Sequence, residues 1–261
     1  MNNSVWFFGD SFCAANEEGD VPIKGVGCQT IPDYWWGVEF ANSLGKEINI
    51  QSLGGSSIEY TMLQIEEQME NIQTGDTVVV CYTNPYRLYF NGQNISSNNI
   101  SDDFTVNNPD HFTQGVLDTA KSFMLHVFDR EKQQRLWISH VLYIQNYLIP
   151  IIYSKGARIV EFYSFNTIPE LKEDLLPKLN GKHDNIFQRD ILNNKDSKVK
   201  LIDKLKVLPV ADHFVIQNAS QNGGDHEPIL QTPNHFGNND TEINLNKQWA
   251  EYLLTLLPKN T

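Results

Sequence analysis

The stretch Val5-Trp6-Phe7-Phe8-Gly9-Asp10-Ser11 places four consecutive apolar residues directly before a glycine, an aspartate and a serine. A short, uninterrupted apolar run is typical of a strand buried on both faces, as the strands of a parallel sheet are. Gly9 permits the tight backbone that a strand-to-helix turn needs. The pattern therefore predicts a buried strand whose carboxyl end presents the Ser11 hydroxyl at the edge of a sheet.

Further strands are predicted along the chain by runs of the same kind. They cover 47–51, 77–82 and 158–163, and a fifth is predicted near Phe214-Val215-Ile216. The polar stretch 91–110 follows the third strand and is interpreted either as a solvated loop or as a lid over the sheet edge.

Helical patterns separate the strands. Ser56 and Glu59 have the spacing of a capping box, which predicts a helix that begins at Ser56. The apolar stripe of this helix has alternating steps of four and three residues and consists of Ile58, Met62, Ile65, Met69 and Ile72.

Three other helical regions are predicted. One covers 34–44 and ends at Gly45, and a long one covers about 113–153 with a break near Asp129 and a kink at Pro150. The last covers about 241–257 and is closed by Pro258. Its predicted inward residues are Leu245, Trp249, Leu253 and Leu256.

The alternation of strands and helices predicts an α/β fold, a three-layer α/β/α sandwich with right-handed crossovers. The chain lacks internal repeats and linker-like segments, so a single domain over 1–261 is expected. Within it, a loop and helical insertion is predicted at about 85–155.

Composition excludes several classes of function. The formal net charge is −12, and no basic patch interrupts it, so neither nucleic acid nor an anionic membrane surface is an expected partner. Cys13, Cys28 and Cys81 are too few and too scattered for a disulfide framework or a zinc site. We expect no metal and no cofactor, and interpret the cysteines as small buried apolar residues.

Four chemical groups follow predicted strands in order along the chain. They are Ser11, the pair Gly54-Gly55, Asn84 and His235. Together they could supply a nucleophile, oxyanion donors and a general base. Each also has a purely structural interpretation. Ser11 could belong to a capped turn and Gly54-Gly55 to an ordinary glycine-rich turn. Asn84 could start an Asn-Pro turn, and His235 could be a surface or capping residue.

The same four segments resemble the conserved blocks of the GDSL/SGNH hydrolase superfamily. The resemblance extends from Val5 to Tyr252 and is strongest at 8–12 and 53–57. It implies a mainly parallel, flavodoxin-like central sheet and metal-free ester hydrolysis through an acyl-serine intermediate. Ser11 would be the nucleophile and His235 the base. The oxyanion hole would combine the Ser11 N–H, a glycine N–H, for which Gly55 is taken, and Asn84.

One position departs from the family pattern. Thr232 stands three residues before His235, where the family usually carries an aspartate. Asp225 and Glu227 are candidates for the orienting acid, and a backbone carbonyl is a third option. His226 is an alternative base, and its acidic neighbours raise the weaker alternative of a metal site.

Substrate contacts are expected from Asp10, Gly54, Tyr86 and Arg87. Tyr86 and Arg87 closely follow Asn84, where they would either line an acyl or sugar pocket or serve the loop through packing and a structural ion pair.

These observations predict an ester hydrolase for a small acyl ester, such as an O-acetyl group on a carbohydrate. A binding or structural module that keeps the fold without turnover is the alternative, and a nucleotide-binding protein ranks last because the Gly54-Gly55 turn lacks phosphate-loop spacing. No basic and apolar leader precedes the first strand, so a signal peptide is not predicted. The expected location is the cytoplasm, or a virion, since the chain is somewhat similar to phage-encoded members of the superfamily.

Overall fold

The computed structural model describes residues 3–14, 31, 33, 35–90, 93–96, 114–128, 130–165, 202–211 and 240–257. Its strands are β1 (Ser4–Phe8), β2 (Glu47–Ile50), β3 (Thr77–Tyr82), β4 (Arg87–Phe90), β5 (Gln93–Ser96) and β6 (Arg158–Tyr163). Its helices are α1 (Trp36–Leu44), α2 (Ile58–Gln68), α3 (Gln114–His126), α4 (Arg130–Tyr143), α5 (Ile149–Ser154) and α6 (Asp240–Leu256), and a π-helical turn covers Ile144–Leu148.

The central sheet has the strand order β2-β1-β3-β6, and every neighbouring pair is parallel. A single parallel bridge between Tyr163 and Val210 extends this order beyond β6. From β1 the chain passes to β2 on one side and then to β3 and β6 on the other side. This is the flavodoxin-like strand order, and it confirms the predicted fold class. Ligands bind such sheets at the carboxyl ends of the strands, near the point where the order reverses.

Each face of the sheet is covered by helices, because successive strand residues point to opposite sides. On one face Phe7 and Val79 pack with residues of α1 and α6, including Phe40 and Trp249. On the other, Phe8 and Val80 pack with residues of α2, α4 and α5. Three layers result, as the alternating pattern predicted.

The cap of α2 differs from the predicted capping box by one residue. Ser57, not Ser56, is the N-cap, and its side chain accepts a hydrogen bond from the N–H of Tyr60. The Ser56 hydroxyl instead donates to the carbonyl of Gly9 at 2.7 Å. The Ser56 hydroxyl thus bonds to a residue distant in sequence, and the helix begins one residue later than predicted. The apolar stripe itself is confirmed, with Ile58, Ile65 and Ile72 buried and the two methionines partly buried against them.

The long helical region is interrupted, as expected, between His126 and Arg130. Its second irregularity is a π-helical turn at Ile144–Leu148, just before Pro150. Proline has no N–H and its ring clashes with the carbonyl four residues earlier, here that of Asn146. The wider π turn accommodates this clash without ending the helix.

The predicted inward face of the last helix is correct for Leu245, Trp249 and Leu253, which are all buried. The prediction for Leu256 is wrong, because this residue is 39% exposed. Leu257, which is 8% exposed, is buried instead. Leu257 follows Leu253 by four positions, about one helical turn, and so faces the core directly after the end of α6.

The polar stretch after β3 contains more regular structure than a solvated loop. Gln93–Ser96 forms an antiparallel pair with β4. The remainder of 91–110, the predicted strand at 214–216 and Pro258 lie outside the described residues. In the part of the chain that the structure describes, no helix is both long and apolar enough to span a bilayer.

Candidate active site

Ser11 lies at the carboxyl edge of the sheet, three residues after the end of β1. The N–H groups of Cys13 and Ala14 both donate to the carbonyl of Asp10, at 2.9 and 3.0 Å, and close a helical turn around the serine. Phe12 and Cys13 are buried, whereas Ser11 is partly exposed. The sequence prediction for this turn is confirmed in its backbone.

Gly9 allows this turn to sit against β3. Its φ is +145°, and a Cβ built on it would lie 2.6 Å from the Cβ and 2.8 Å from the carbonyl oxygen of Cys81. Both contacts are with atoms that the strand holds fixed, so only glycine fits here.

We expect Gly9→Ala to lower the free energy of unfolding by about 2 to 3 kcal/mol, because overpacking and an unfavourable φ act together. Gly55→Ala is the matched control, since Gly55 also has a positive φ, +75°, but nothing lies within 4 Å of an added Cβ. Its expected cost is about 1 kcal/mol. Urea denaturation measures both variants, and equal losses would contradict the role given to the Cys81 contact.

Asp10 is fully buried, and its carboxylate stabilises the serine turn from the interior of the protein. Its Oδ1 accepts a hydrogen bond from the N–H of Phe12 at 3.0 Å. Its Oδ2 accepts from Arg87 Nη1 and from the Ser164 hydroxyl, each at 2.8 Å. A carboxylate enclosed in this way does not reach a substrate, so the predicted substrate contact of Asp10 is corrected to a supporting role.

Arg87 forms the structural ion pair that the sequence offered as one alternative, and it also borders a pocket. Its ion pair with Asp10 is structural, and its guanidinium lies 5.3 Å from the centre of the Phe165 ring. Its side chain retains 14% exposure and lines a pocket beside the turn. Ser164 was missed by the sequence analysis. The available signal was its position, directly after the last residue of β6.

The Gly54-Gly55 turn is hydrogen-bonded to the serine turn. Leu53 N–H donates to the carbonyl of Gly9 at 3.1 Å, and Ser56 N–H closes the turn on the carbonyl of Leu53 at 3.0 Å. Gly55 has the positive φ that a type II turn requires at its third residue. Both glycines are partly exposed, and the Leu53 bond places their turn beside the serine turn. The role of a glycine N–H as a donor stays a prediction.

Asn84 follows β3 by two residues and is oriented by its own turn. Its Oδ1 accepts a hydrogen bond from the N–H of Tyr86 at 2.8 Å. Within the described residues no acceptor bonds to its Nδ2, which leaves this amide group as a donor for a ligand. The carbonyl of the preceding Thr83 accepts from Trp137 Nε1 at 2.7 Å, which anchors the strand end.

Tyr86 was predicted to contact the substrate, but its hydroxyl is hydrogen-bonded within the protein. Its hydroxyl accepts a hydrogen bond from Gln134 Nε2 at 2.6 Å, and Gln134 is buried. It does not belong to the pocket that Arg87 lines. The alternative interpretation, in which the aromatic residue packs the loop onto the body, fits this contact.

The cysteines near the turn are unsuited to act as nucleophiles. Burial raises the pKa of Cys13 and raises that of Cys81 further, and the carboxylate of Asp10 adds to both shifts. Both thiols therefore stay protonated, and the reactive form of a cysteine is the thiolate. Of the hydroxyl and thiol groups in this turn, only Ser11 is partly exposed.

The predicted base and its neighbours lie outside the described residues. They are His235, the alternative base His226, the candidate acids Asp225 and Glu227, and Thr232. Cys28 also lies outside. Among the residues that the structure does describe, no three metal-ligating side chains form a cluster.

The fold and this edge together define an α/β protein in which a serine turn, a glycine turn and an asparagine follow three adjacent parallel strands. No protein-family profile matches the chain, and no curated protein matches it in sequence. Among solved structures it is similar to an acetyl xylan esterase, Est2A, from the rumen bacterium Butyrivibrio proteoclasticus. That match has 10% identity and a TM-score of 0.38, and covers 97% of this chain and 64% of the other.

It is also similar to the protein YxiM from Bacillus subtilis, with 15% identity and a TM-score of 0.28. This match covers 62% of the chain and 33% of YxiM. The chain thus spans a third of one of these structures and somewhat under two thirds of the other.

Proposed function

We propose that the protein is a serine ester hydrolase of the GDSL/SGNH type. The observation that carries the proposal is the junction of three turns at one sheet edge. Ser11 is partly exposed there, the Gly54-Gly55 turn is bonded to the Gly9 carbonyl, and Asn84 presents an amide without an acceptor among the described residues. Nucleophile and oxyanion donors are the groups that acyl transfer needs in one place.

The proposed reaction has two halves. The Ser11 hydroxyl attacks the ester carbonyl while His235 takes its proton, and the resulting oxyanion accepts hydrogen bonds from the N–H groups of Ser11 and Gly55 and from Asn84. The tetrahedral intermediate collapses to an acyl-serine, and His235 returns the proton to the departing alcohol. Water then attacks the acyl group by the same route and releases a carboxylic acid and free Ser11. Asp225 or Glu227 would orient His235.

The substrate that we propose is a small acyl ester, with an O-acetylated carbohydrate favoured. A catalytically weak member of the same fold, acting as a binding or structural module, is the second candidate. Thr232 favours it, because it occupies the position of the usual orienting aspartate. Loss of that acid slows a triad without removing the contribution of the oxyanion hole.

Reaction with a fluorophosphonate, followed by peptide mass spectrometry, distinguishes the two candidates. The hydrolase is expected to carry the phosphonyl group on Ser11 when folded and to lose this labelling in urea. Ser11→Ala provides the unlabelled control. An unmodified Ser11 in the folded protein, together with no hydrolysis of p-nitrophenyl acetate above that control, would eliminate the enzyme and leave the binding module.

Asn84→Asp tests the oxyanion donor with little change in shape. An aspartate keeps the oxygen that accepts from Tyr86 N–H and removes the Nδ2 donor. We expect kcat for p-nitrophenyl acetate to fall by about 10²- to 10³-fold, as for removal of one oxyanion donor. Asn84→Ala removes the turn bond as well, so a loss confined to Asn84→Ala would assign Asn84 to the turn alone.

A further inference from the structure

A pocket opens beside the serine turn, between α2, β4, α3 and α4. Two of its residues connect it to the turn. Arg87 lines the pocket and bonds to Asp10, and Ser57 lines it directly after Ser56, which bonds to the Gly9 carbonyl. These contacts join the pocket to the turn that holds the proposed nucleophile, while Ser11 itself is not one of its lining residues.

Three polar side chains in the pocket are only partly exposed and have no hydrogen-bonding partner within the described residues. They are Glu59 of α2 and Gln133 and His140 of α4. Burial lowers the pKa of His140, and the carboxylate of Glu59 opposes this shift only in part. The imidazole is thus neutral at pH 7 and offers one donor and one acceptor.

The rest of the pocket wall is apolar or aromatic. Ile58, Leu88 and Leu136 contribute aliphatic surface, and Tyr89 contributes a ring held 5.7 Å from that of Tyr60. Polar side chains beside aromatic and aliphatic surface suit a ligand that has hydroxyl groups at its edges and C–H groups on its faces.

The charges in the pocket favour a neutral ligand. Glu59 is the only carboxylate among the lining residues, and the charge of Arg87, which also lines it, is already paired with Asp10. An anionic ligand would meet Glu59 without an unpaired cation to compensate. A long acyl chain would desolvate three polar side chains without replacing their hydrogen bonds to water, which is costly.

We propose that this pocket binds the neutral sugar ring that carries the ester, with Glu59, Gln133 and His140 as its hydrogen-bonding partners. The inference rests on the proposed function for the position of the ester, and it adds the residues that select the alcohol part of the substrate. They are specificity-determining residues and take no part in the bond-breaking steps.

Hydrolysis is compared on two acetyl esters, p-nitrophenyl acetate and a mixture of partially O-acetylated cello-, xylo- and manno-oligosaccharides. His140→Ala and Glu59→Gln are each expected to raise KM for the oligosaccharides about tenfold, the loss of one well-placed hydrogen bond. Their kcat/KM for p-nitrophenyl acetate, which has no hydroxyl groups, should stay within about twofold of the wild type. His126→Ala, on the exposed end of α3, is the matched control and should change neither value.

Binding of the same oligosaccharides without acetyl groups gives a readout independent of catalysis. Saturation-transfer NMR should detect them on the wild type and on Ser11→Ala, and the signal should weaken in His140→Ala and Glu59→Gln but not in His126→Ala. No transfer to any of these oligosaccharides, or equal transfer in all variants, would overturn the pocket assignment. An unlabelled Ser11 together with His140-dependent binding would overturn the proposed hydrolase and leave the sugar pocket intact.

Discussion

Ser11→Ala is expected to lower kcat for p-nitrophenyl acetate by at least about 10³-fold, because the other members of a catalytic triad cannot replace the nucleophile. Its free energy of unfolding should change by less than about 1 kcal/mol, the usual range for a substitution outside the core. Initial rates and urea denaturation on the same preparations test both expectations. A large rate loss without a stability loss would assign the effect to chemistry.

Two further variants make the Ser11 result specific. Ser139→Ala removes a hydroxyl on the exposed side of α4, where it bonds to the carbonyl of Arg135, and should leave the rate unchanged. Cys13→Ala removes the buried thiol of the same turn and should also retain activity. Retained activity in Ser11→Ala, or activity lost only in Cys13→Ala, would contradict Ser11 as the nucleophile.

The inner strands β1 and β3 could be predicted because nearly all of their residues are buried, which gives uninterrupted apolar runs. The runs 77–82 and 158–163 are bounded by turn residues, and β3 and β6 have these bounds. The serine turn and the Gly54-Gly55 turn were also predictable, since each begins within a few residues of the end of a strand. Their meeting at one edge follows from the parallel arrangement of the strands, whose carboxyl ends lie together.

The contacts that stabilise the site could not be predicted, because they join residues far apart in sequence. Ser164 and Asp10 are separated by 154 positions and Arg87 and Asp10 by 77. The Ser56 hydroxyl shows the same limit on a smaller scale. Its spacing to Glu59 indicated that it would accept a local capping bond. In the structure Ser57 is the N-cap, and the Ser56 hydroxyl donates to the Gly9 carbonyl, 47 positions away. Local patterns do not contain such tertiary partners.

Substitution of Asp10 is expected to have the largest effect on stability. Asp10→Ala should lower the free energy of unfolding by about 3 to 5 kcal/mol, because it leaves the largely buried guanidinium of Arg87 without its counter-ion. It also leaves the Phe12 N–H and the Ser164 hydroxyl without their acceptor. Urea denaturation monitored by tryptophan fluorescence measures this loss.

Asp10→Asn separates the charge from the shape of the side chain. Its single amide oxygen can accept from the Phe12 N–H, and an NH₂ group then faces Arg87, or it can accept from Arg87, and the NH₂ group then faces the Phe12 N–H. In either orientation one of the two bonds is retained. A smaller loss than in Asp10→Ala is therefore expected. The double variant Asp10→Ala/Arg87→Ala should be more stable than the sum of the single losses predicts, by about 1 to 3 kcal/mol, because residues that share an interaction are not additive. Additive losses would mean that the ion pair is not what holds this turn, and that the backbone bonds from Cys13 and Ala14 to the Asp10 carbonyl suffice.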